Sequence, residues 1–350
     1  MRLLSRNAES LFWLARYLER GASLARVIEM QSSYGAPDPQ TGWTWLLALH
    51  TDEERFKERY ELSSANIVAF YMTDNANVGS IRSSIHWARE NARALRPFIP
   101  LEMWVQLNAF HTIVEALTPD DILPSQLPRT CALIRAGCLA QIGTAEGTLF
   151  RDEGYQFFRL GLLVERADQT SRLLDVKFAQ GDTAARSAVS SDDFVFWSTI
   201  LRTAGAYQAF NRLEADIASP ERVARFLILN PSHPRAIGFC VREIGDALQV
   251  LRSSFRLKQA AKCLEGCEVL MDGLQAAAQD PALANRLHEL NDWVQRSLFE
   301  LTDIISTAFF QLRPPEPRAV EPMPTQSQSQ SQSQSQSQSQ TGQTQTQRQS

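Results

Sequence analysis

Two segments repeat one arrangement of acid and guanidinium groups. They are ESLFWLARYLERGASLAR, from Glu9 to Arg26, and QFFRLGLLVERADQTSR, from Gln156 to Arg172. On a helix, Glu19, Ser23 and Arg26 stand at i, i+4 and i+7, on one side and about 130° from the centre of the apolar seam. Glu165, Gln169 and Arg172 repeat the pattern. Arg20 and Arg166 each follow a glutamate and point about 100° away from it. Two chemistries are open to such a set. If two halves pack around a pseudo-twofold axis, Glu19 meets Arg172 and Glu165 meets Arg26, in reciprocal ion pairs that fix register. Alternatively, Glu19 and Glu165 act as general acid and base in a shared cleft, with Arg20, Arg26, Arg166 and Arg172 holding a charged substrate. That role requires a carboxyl whose pKa is raised by burial or by a like-charged neighbour.

A second set is basic. Arg82, His86, Arg89, Arg93 and Arg96 share one helix face beside Ile81, Ile85, Ala88, Ala92 and Leu95. Arginine forks suit phosphate or carboxylate, so the row predicts an acidic ligand or partner patch, against the alternative of a solvated, internally bridged face. In the later half Arg235, Arg242 and Arg256 lie multiples of seven apart. Cys263 and Cys267 are i, i+4 neighbours with no histidine near in sequence, which predicts buried apolar packing and no metal site. No H-E-x-x-H, phosphate-binding loop, nucleophile elbow or dinucleotide fingerprint occurs, and no cofactor is expected.

Helical periodicity positions these groups, and alternating strand-like runs are scarce, so the chain reads as all-α. Leu11, Leu14, Leu18, Gly21, Ala25 and Ile28 trace one seam, and Phe157, Leu160, Val164, Ala167, Ser171 and Leu174 trace its counterpart 146 positions on. NVGSIRSSIHWARENARAL (77–95) lies on NPSHPRAIGFCVREIGDAL (230–248) at an offset of 153, or at a register three residues longer that aligns Ile81 with Ile237 and Ser84 with Cys240. Both registers predict two related helical halves, 1–145 and 146–312, packed as one bundle-like body. Ser5 opens the first helix, Pro37 and Pro39 interrupt, and Ile99-Pro100 precedes another helix. Pro119, Pro124 and Pro128 mark a connection, and Ser219-Pro220-Glu221 is a capped start. Pro281 opens a last long pattern closed by Pro314 and Pro315. About a dozen helices are expected. From 313 to 350, prolines give way to alternating Ser and Gln, a composition that predicts a disordered tail.

The 350 residues are 44% hydrophobic, enough for a substantial core, and the formal charge of −4 gives no global field for nucleic acid or an anionic membrane. Five cysteines without a C-x-x-C pair argue against a disulfide framework. With no apolar run long enough for a membrane span, a cytoplasmic location is expected.

Three blocks, SRNAESLFWLARYLERGASLAR, SIHWARENARALRPFIPLEMWVQLN and FRDEGYQFFRLGLLVERADQTSRLLDVK, resemble signatures of the bacterial alpha-E domain family, in the right order and across residues 1 to 312. The resemblance implies an all-helical protein that keeps genomic company with circularly permuted ATP-grasp proteins and transglutaminase-like peptidases. It therefore implies an accessory to amide ligation that binds the ligase, a peptide or an acidic substrate. A glutamate-dependent peptide-forming or hydrolysing enzyme and a multi-partner scaffold are the alternatives. Family glutamates fall on Glu9, Glu19 and Glu165, and the following arginines on Arg20 and Arg166. The chain departs at Ala22, where the family carries an acidic residue; Asp168 keeps it in the second half.

Overall fold

The computed structural model describes residues 3–34, 42–178, 191–214, 219–280 and 282–310, and these contain fourteen α-helices and no strand. The first seven are α1 (Ser5–Tyr34), α2 (Thr44–His50), α3 (Glu53–Lys57), α4 (Ser64–Met72), α5 (Ile81–Ala94), α6 (Leu101–Glu115) and α7 (Leu127–Thr148). The second seven are α8 (Glu153–Phe178), α9 (Ser191–Thr203), α10 (Tyr207–Leu213), α11 (Pro220–Leu229), α12 (Ile237–Ser253), α13 (Ala260–Gln279) and α14 (Leu287–Phe309). The interruption expected at Pro37 and Pro39 and the tail expected from 313 onward lie outside the described residues.

Local chemistry sets several helix starts. The side chains of Ser63, Ser80 and Ser219 accept hydrogen bonds from the backbone N–H groups of Asn66, Ser83 and Arg222, capping α4, α5 and α11. Pro220 follows its serine cap at the first helical position, as the sequence predicts. Pro128 departs from expectation. It lies in the first turn of α7, where an absent N–H leaves no helical bond unmade. The last long helix likewise begins at Leu287, after a short 3₁₀ turn over Leu283–Arg286.

The long helices α1 and α8 pack against one another at the centre. On one side α1 carries α5 and α7, with α6 laid over both; on the other α8 carries α12 and α14, with α13 laid over both. The short helices cross over, α2 resting on α8 and α9 on α1. All twelve predicted seam residues of α1 and α8 are buried. Aromatic rings close one end of the interface, with Phe12 5.3 Å from Phe310 and Phe157 5.0 Å from Phe309.

Burial selects between the two registers for α5 and α12. Ile81, Ser84, Ile85, Ala88, Ala92 and Leu95 are buried, and so are Ile237, Cys240, Val241, Ile244, Leu248 and Leu251, each 156 positions on. The shorter offset would set buried Ile81 on exposed Pro234 and buried Ile85 on half-buried Gly238. Arg89 and Arg242 are therefore not equivalent positions. Further on, Met103 and Leu107 correspond to Cys263 and Cys267, and Ile134 and Cys138 to Val294 and Leu298, all buried at an offset of 160. The two cysteines are apolar core, as expected, with burial pushing both thiols up to about 12.

At Gly161, α8 lies close against the backbone of α1, since a Cβ there would sit 2.1 Å from the carbonyl oxygen of Phe12. Backbone cannot yield as a side-chain tip can, so Gly161→Ala must push the central helices apart. A loss of about 1–3 kcal/mol or more is expected, read as a lowered thermal midpoint. Gly143→Ala, in α7 with open space around the added methyl, should raise stability by roughly 0.5–1 kcal/mol.

Candidate functional site

The Glu-Arg pairs of α1 and α8 meet across the central interface. Glu165 is 0% exposed. Its Oε1 accepts from Arg20 Nε at 2.7 Å and from Gln169 Nε2 at 3.2 Å, while its Oε2 accepts from Arg16 Nε at 2.7 Å and Arg20 Nη2 at 3.0 Å. Glu19 is also 0% exposed. Its Oε2 accepts from Arg166 Nη2 at 3.0 Å, and its Oε1 lies 2.6 Å from Arg235 Nη2. The hydroxyl of Ser23 completes the set, donating to Glu19 Oε1 at 3.4 Å.

Reciprocal pairing is thus present, but with other partners than the spacing suggested. Glu19 meets Arg166 instead of Arg172, and Glu165 meets Arg20 and Arg16 instead of Arg26. The reason is axial. The two glutamates lie close to the same level of the interface, and an arginine seven residues on is displaced roughly 10 Å along its helix. The arginine next to the glutamate, turned about 100°, is the one that reaches across. Arg172 instead bonds Asp168 one turn back on its own helix, Nε to Oδ2 at 2.9 Å. Arg26 has no hydrogen-bond or ion-pair partner among the described residues, and its buried Nε is unsatisfied.

Two further participants were not expected at this centre: Arg16, which no spacing singles out, and Arg235, which spacing grouped with Arg242 and Arg256 and not with Glu19. Leu162 stands where a copy of Arg16 would be, and Gly79 where a copy of Arg235 would be. Arg235 reaches the centre from the loop between α11 and α12, which Thr170 ties down by donating to the Arg235 carbonyl at 2.9 Å. His50, at the end of α2, is a further neighbour, half-buried with its Nε2 shielded from solvent. Burial first, then Arg172 and Arg20, pushes its pKa down to about 3, so the imidazole is neutral.

Electrostatics define what this centre can do. Burial acts to raise both carboxyl pKa values, and the guanidiniums outweigh it. Arg20 and Arg16 hold Glu165 down at about 2, and Arg235 and Arg166 hold Glu19 below its ordinary value. A general acid or base needs the opposite shift and reach to a substrate. The glutamates line a closed, paired interior, where removal of one partner leaves a buried charge uncompensated.

Arg82, His86, Arg89 and Arg93 lie on α5, whereas Arg96, expected on the same helix face, falls in the turn after the helix ends at Ala94; most of the row is engaged within the chain. Arg82 donates to the carbonyls of Thr73 and Leu117 at 3.1 and 2.7 Å. Arg89 bonds Asn108 and Glu90 and lies over the Trp104 ring, as does Arg96. Arg93 bonds Glu90 while remaining 62% exposed. His86 faces His111 with ring centroids 5.8 Å apart. No metal site was expected, yet two groups, His86 with His111 and Glu115, and Asp175 with His288 and Asp292, bring their ligand-type atoms within 4.8 Å. The first lies beside the guanidiniums of Arg82 and Arg89, whose charge opposes a cation.

The sign of the Glu165 shift sets an acid-stability window. Its folded-state pKa, about 2, lies below the ordinary 4.5, so the unfolded chain binds the extra proton between those values. The stabilisation is complete above about pH 4.5 and is lost as pH falls toward 2. Glu165→Gln, which leaves Arg16 and Arg20 facing a neutral amide, should lose about 3–5 kcal/mol at pH 7. Urea midpoints measured from pH 7 to 2.5 should show the parent falling toward the variant; a constant gap would contradict the assignment.

Comparison with known proteins agrees with this centre. The family Alpha-E, described as a predicted alpha-helical domain with a conserved ER motif, matches residues 3–310. No curated protein and no solved structure matches the chain significantly. In this chain Glu19-Arg20 and Glu165-Arg166 are the Glu-Arg dipeptides that interlock at the core, and a match spanning all fourteen helices makes the protein a member of the Alpha-E family.

Proposed function

We propose that the protein is a non-catalytic, cytoplasmic accessory of an amide-ligase system, binding a circularly permuted ATP-grasp protein and an acidic or peptide ligand, with a transglutaminase-like peptidase as a further partner. The observation that carries the reading is the state of the two glutamates. Both are fully buried and paired, and Glu165 is held at about pKa 2, which suits a structural frame and not proton transfer. The two sets of seven helices are, on this reading, copies of one unit locked through their Glu-Arg pairs, with the boundary between α7 and α8 at 149–152 and not at the expected 145/146, which falls inside α7. No described helix is long and apolar enough to cross a membrane.

The corner between α5 and α6 supports a protein-facing role. Phe98, Leu101 and Val105 are exposed there, Leu101 at 73%, beside Arg93 and Arg96. Apolar surface flanked by guanidiniums is the composition of a docking patch for an acidic, partly apolar partner. Arg93 and Arg96 are its outward charges, whereas Arg82 and Arg89 brace α5 against the rest of the half.

Co-purification of the tagged full chain with the ATP-grasp protein tests the proposal. Arg93→Glu combined with Arg96→Glu should weaken the complex at least tenfold while the thermal midpoint stays within about 2 °C, since exposed pairs contribute little to stability. An unaffected complex would remove this patch from the interface, and no complex with the parent would remove the ligase reading.

A further inference from the structure

The correspondence of α1 and α8 isolates one charge that the described residues leave unbalanced. At an offset of 146, Arg26 corresponds to Arg172, and Ala22 to Asp168. Arg172 is satisfied by Asp168 at 2.9 Å. Arg26 finds only a methyl group at the equivalent place. The carboxylates next nearest are engaged elsewhere, Glu19 by Arg166 and Arg235, and Glu29 by Arg135 at 2.8 and 3.1 Å.

Around Arg26 is a narrow, partly enclosed pocket lined by Ser23, Leu49, Gln169, Thr170, Thr203 and Arg235. Its cavity volume is about 20 Å³, on a measure by which one water needs roughly 10–15 Å³. The three hydroxyls already donate, Ser23 to Glu19, Thr170 with its one proton shared between the Arg166 and Arg235 carbonyls, and Thr203 to the Thr199 carbonyl. Arg26 is the donor left over. Its Nε is sealed from solvent without an acceptor. Burial, then the like charge of Arg235, pushes its pKa down to about 10, whereas Asp168 raises that of Arg172. A guanidinium held in a polar pocket without a counter-charge is a site whose anion comes from elsewhere.

We propose that this pocket binds a single carboxylate group of an external ligand, which takes the place that Asp168 fills beside Arg172. The planar carboxylate presents two oxygens to the guanidinium fork. The enclosed part of the pocket has room for about one water, so only the terminal group of a ligand reaches in toward Arg26. This gives the acidic ligand of the proposed function a place, and rests on that reading only for the ligand's origin.

Calorimetric titration of the isolated full chain at fixed ionic strength tests it without the ligase, so its failure is distinct from failure of the ligase reading. The probes are acetate, N-acetyl-alanine, N-acetyl-alaninamide and inorganic phosphate. The two carboxylates should bind saturably, and the amide and phosphate at least tenfold more weakly. Arg26→Gln should abolish the carboxylate signal, and Arg26→Lys should retain a weakened one, which covers the case of a glutamine variant that does not fold. Ala22→Asp, which restores an internal carboxylate, should also abolish binding. No saturable carboxylate binding to the parent, equal binding by the Arg26 variants, or a preference for phosphate would each overturn the proposal.

Discussion

Everything in this molecule is arranged around two carboxylates that have lost all contact with water. A bare carboxylate in a protein interior is destabilising by several kcal/mol unless its lone pairs are met by charged donors. Glu19 and Glu165 are met from outside their own helices, by Arg166 and Arg235 in one case and Arg16 and Arg20 in the other. Neither α1 nor α8 can therefore hold its glutamate in place without the other. The close approach at Gly161 serves the same requirement, since the pairs form only if the two helices touch.

Buried ion pairs of this kind contribute more to the choice of one packing than to net stability. A one-turn slip of α8 along α1 would move each glutamate about 5.4 Å from its guanidiniums and leave four charged groups or more unpaired. Apolar seams such as Leu11, Leu14 and Leu18 against Phe157, Leu160 and Val164 tolerate such slips far better, because leucine and phenylalanine repeat along the helix. The seam supplies the attraction, and the Glu-Arg centre supplies the register.

What the sequence revealed follows from what repeats. The all-helical class, the two seams and the buried cysteines were legible because helical periodicity and apolar composition are local signals. The reciprocal logic of the Glu-Arg pairs was legible because it occurs twice. Their actual partners were not, because pairing across two helices depends on relative axial level, which no single helix encodes. Arg16 and Arg235 have no copies in the other half, so duplication could not point to them. The basic row of α5 was found as a face, but its internal engagement by Glu90, Asn108 and Trp104 required the packing of α6.

The departures from symmetry are where chemistry other than folding can reside. If the two halves are copies, as proposed, equivalent residues that do the same thing report on stability. Here two carboxylates face four guanidiniums, and Arg26 adds a fifth without an acid of its own. In a chain with a formal charge of −4, this places an excess of positive charge at the centre of the fold. Low polarizability around it strengthens its attraction for an anion and weakens screening by salt. Both glutamates are engaged in building this positive interior, and their lowered pKa values leave them as charged partners of the guanidiniums.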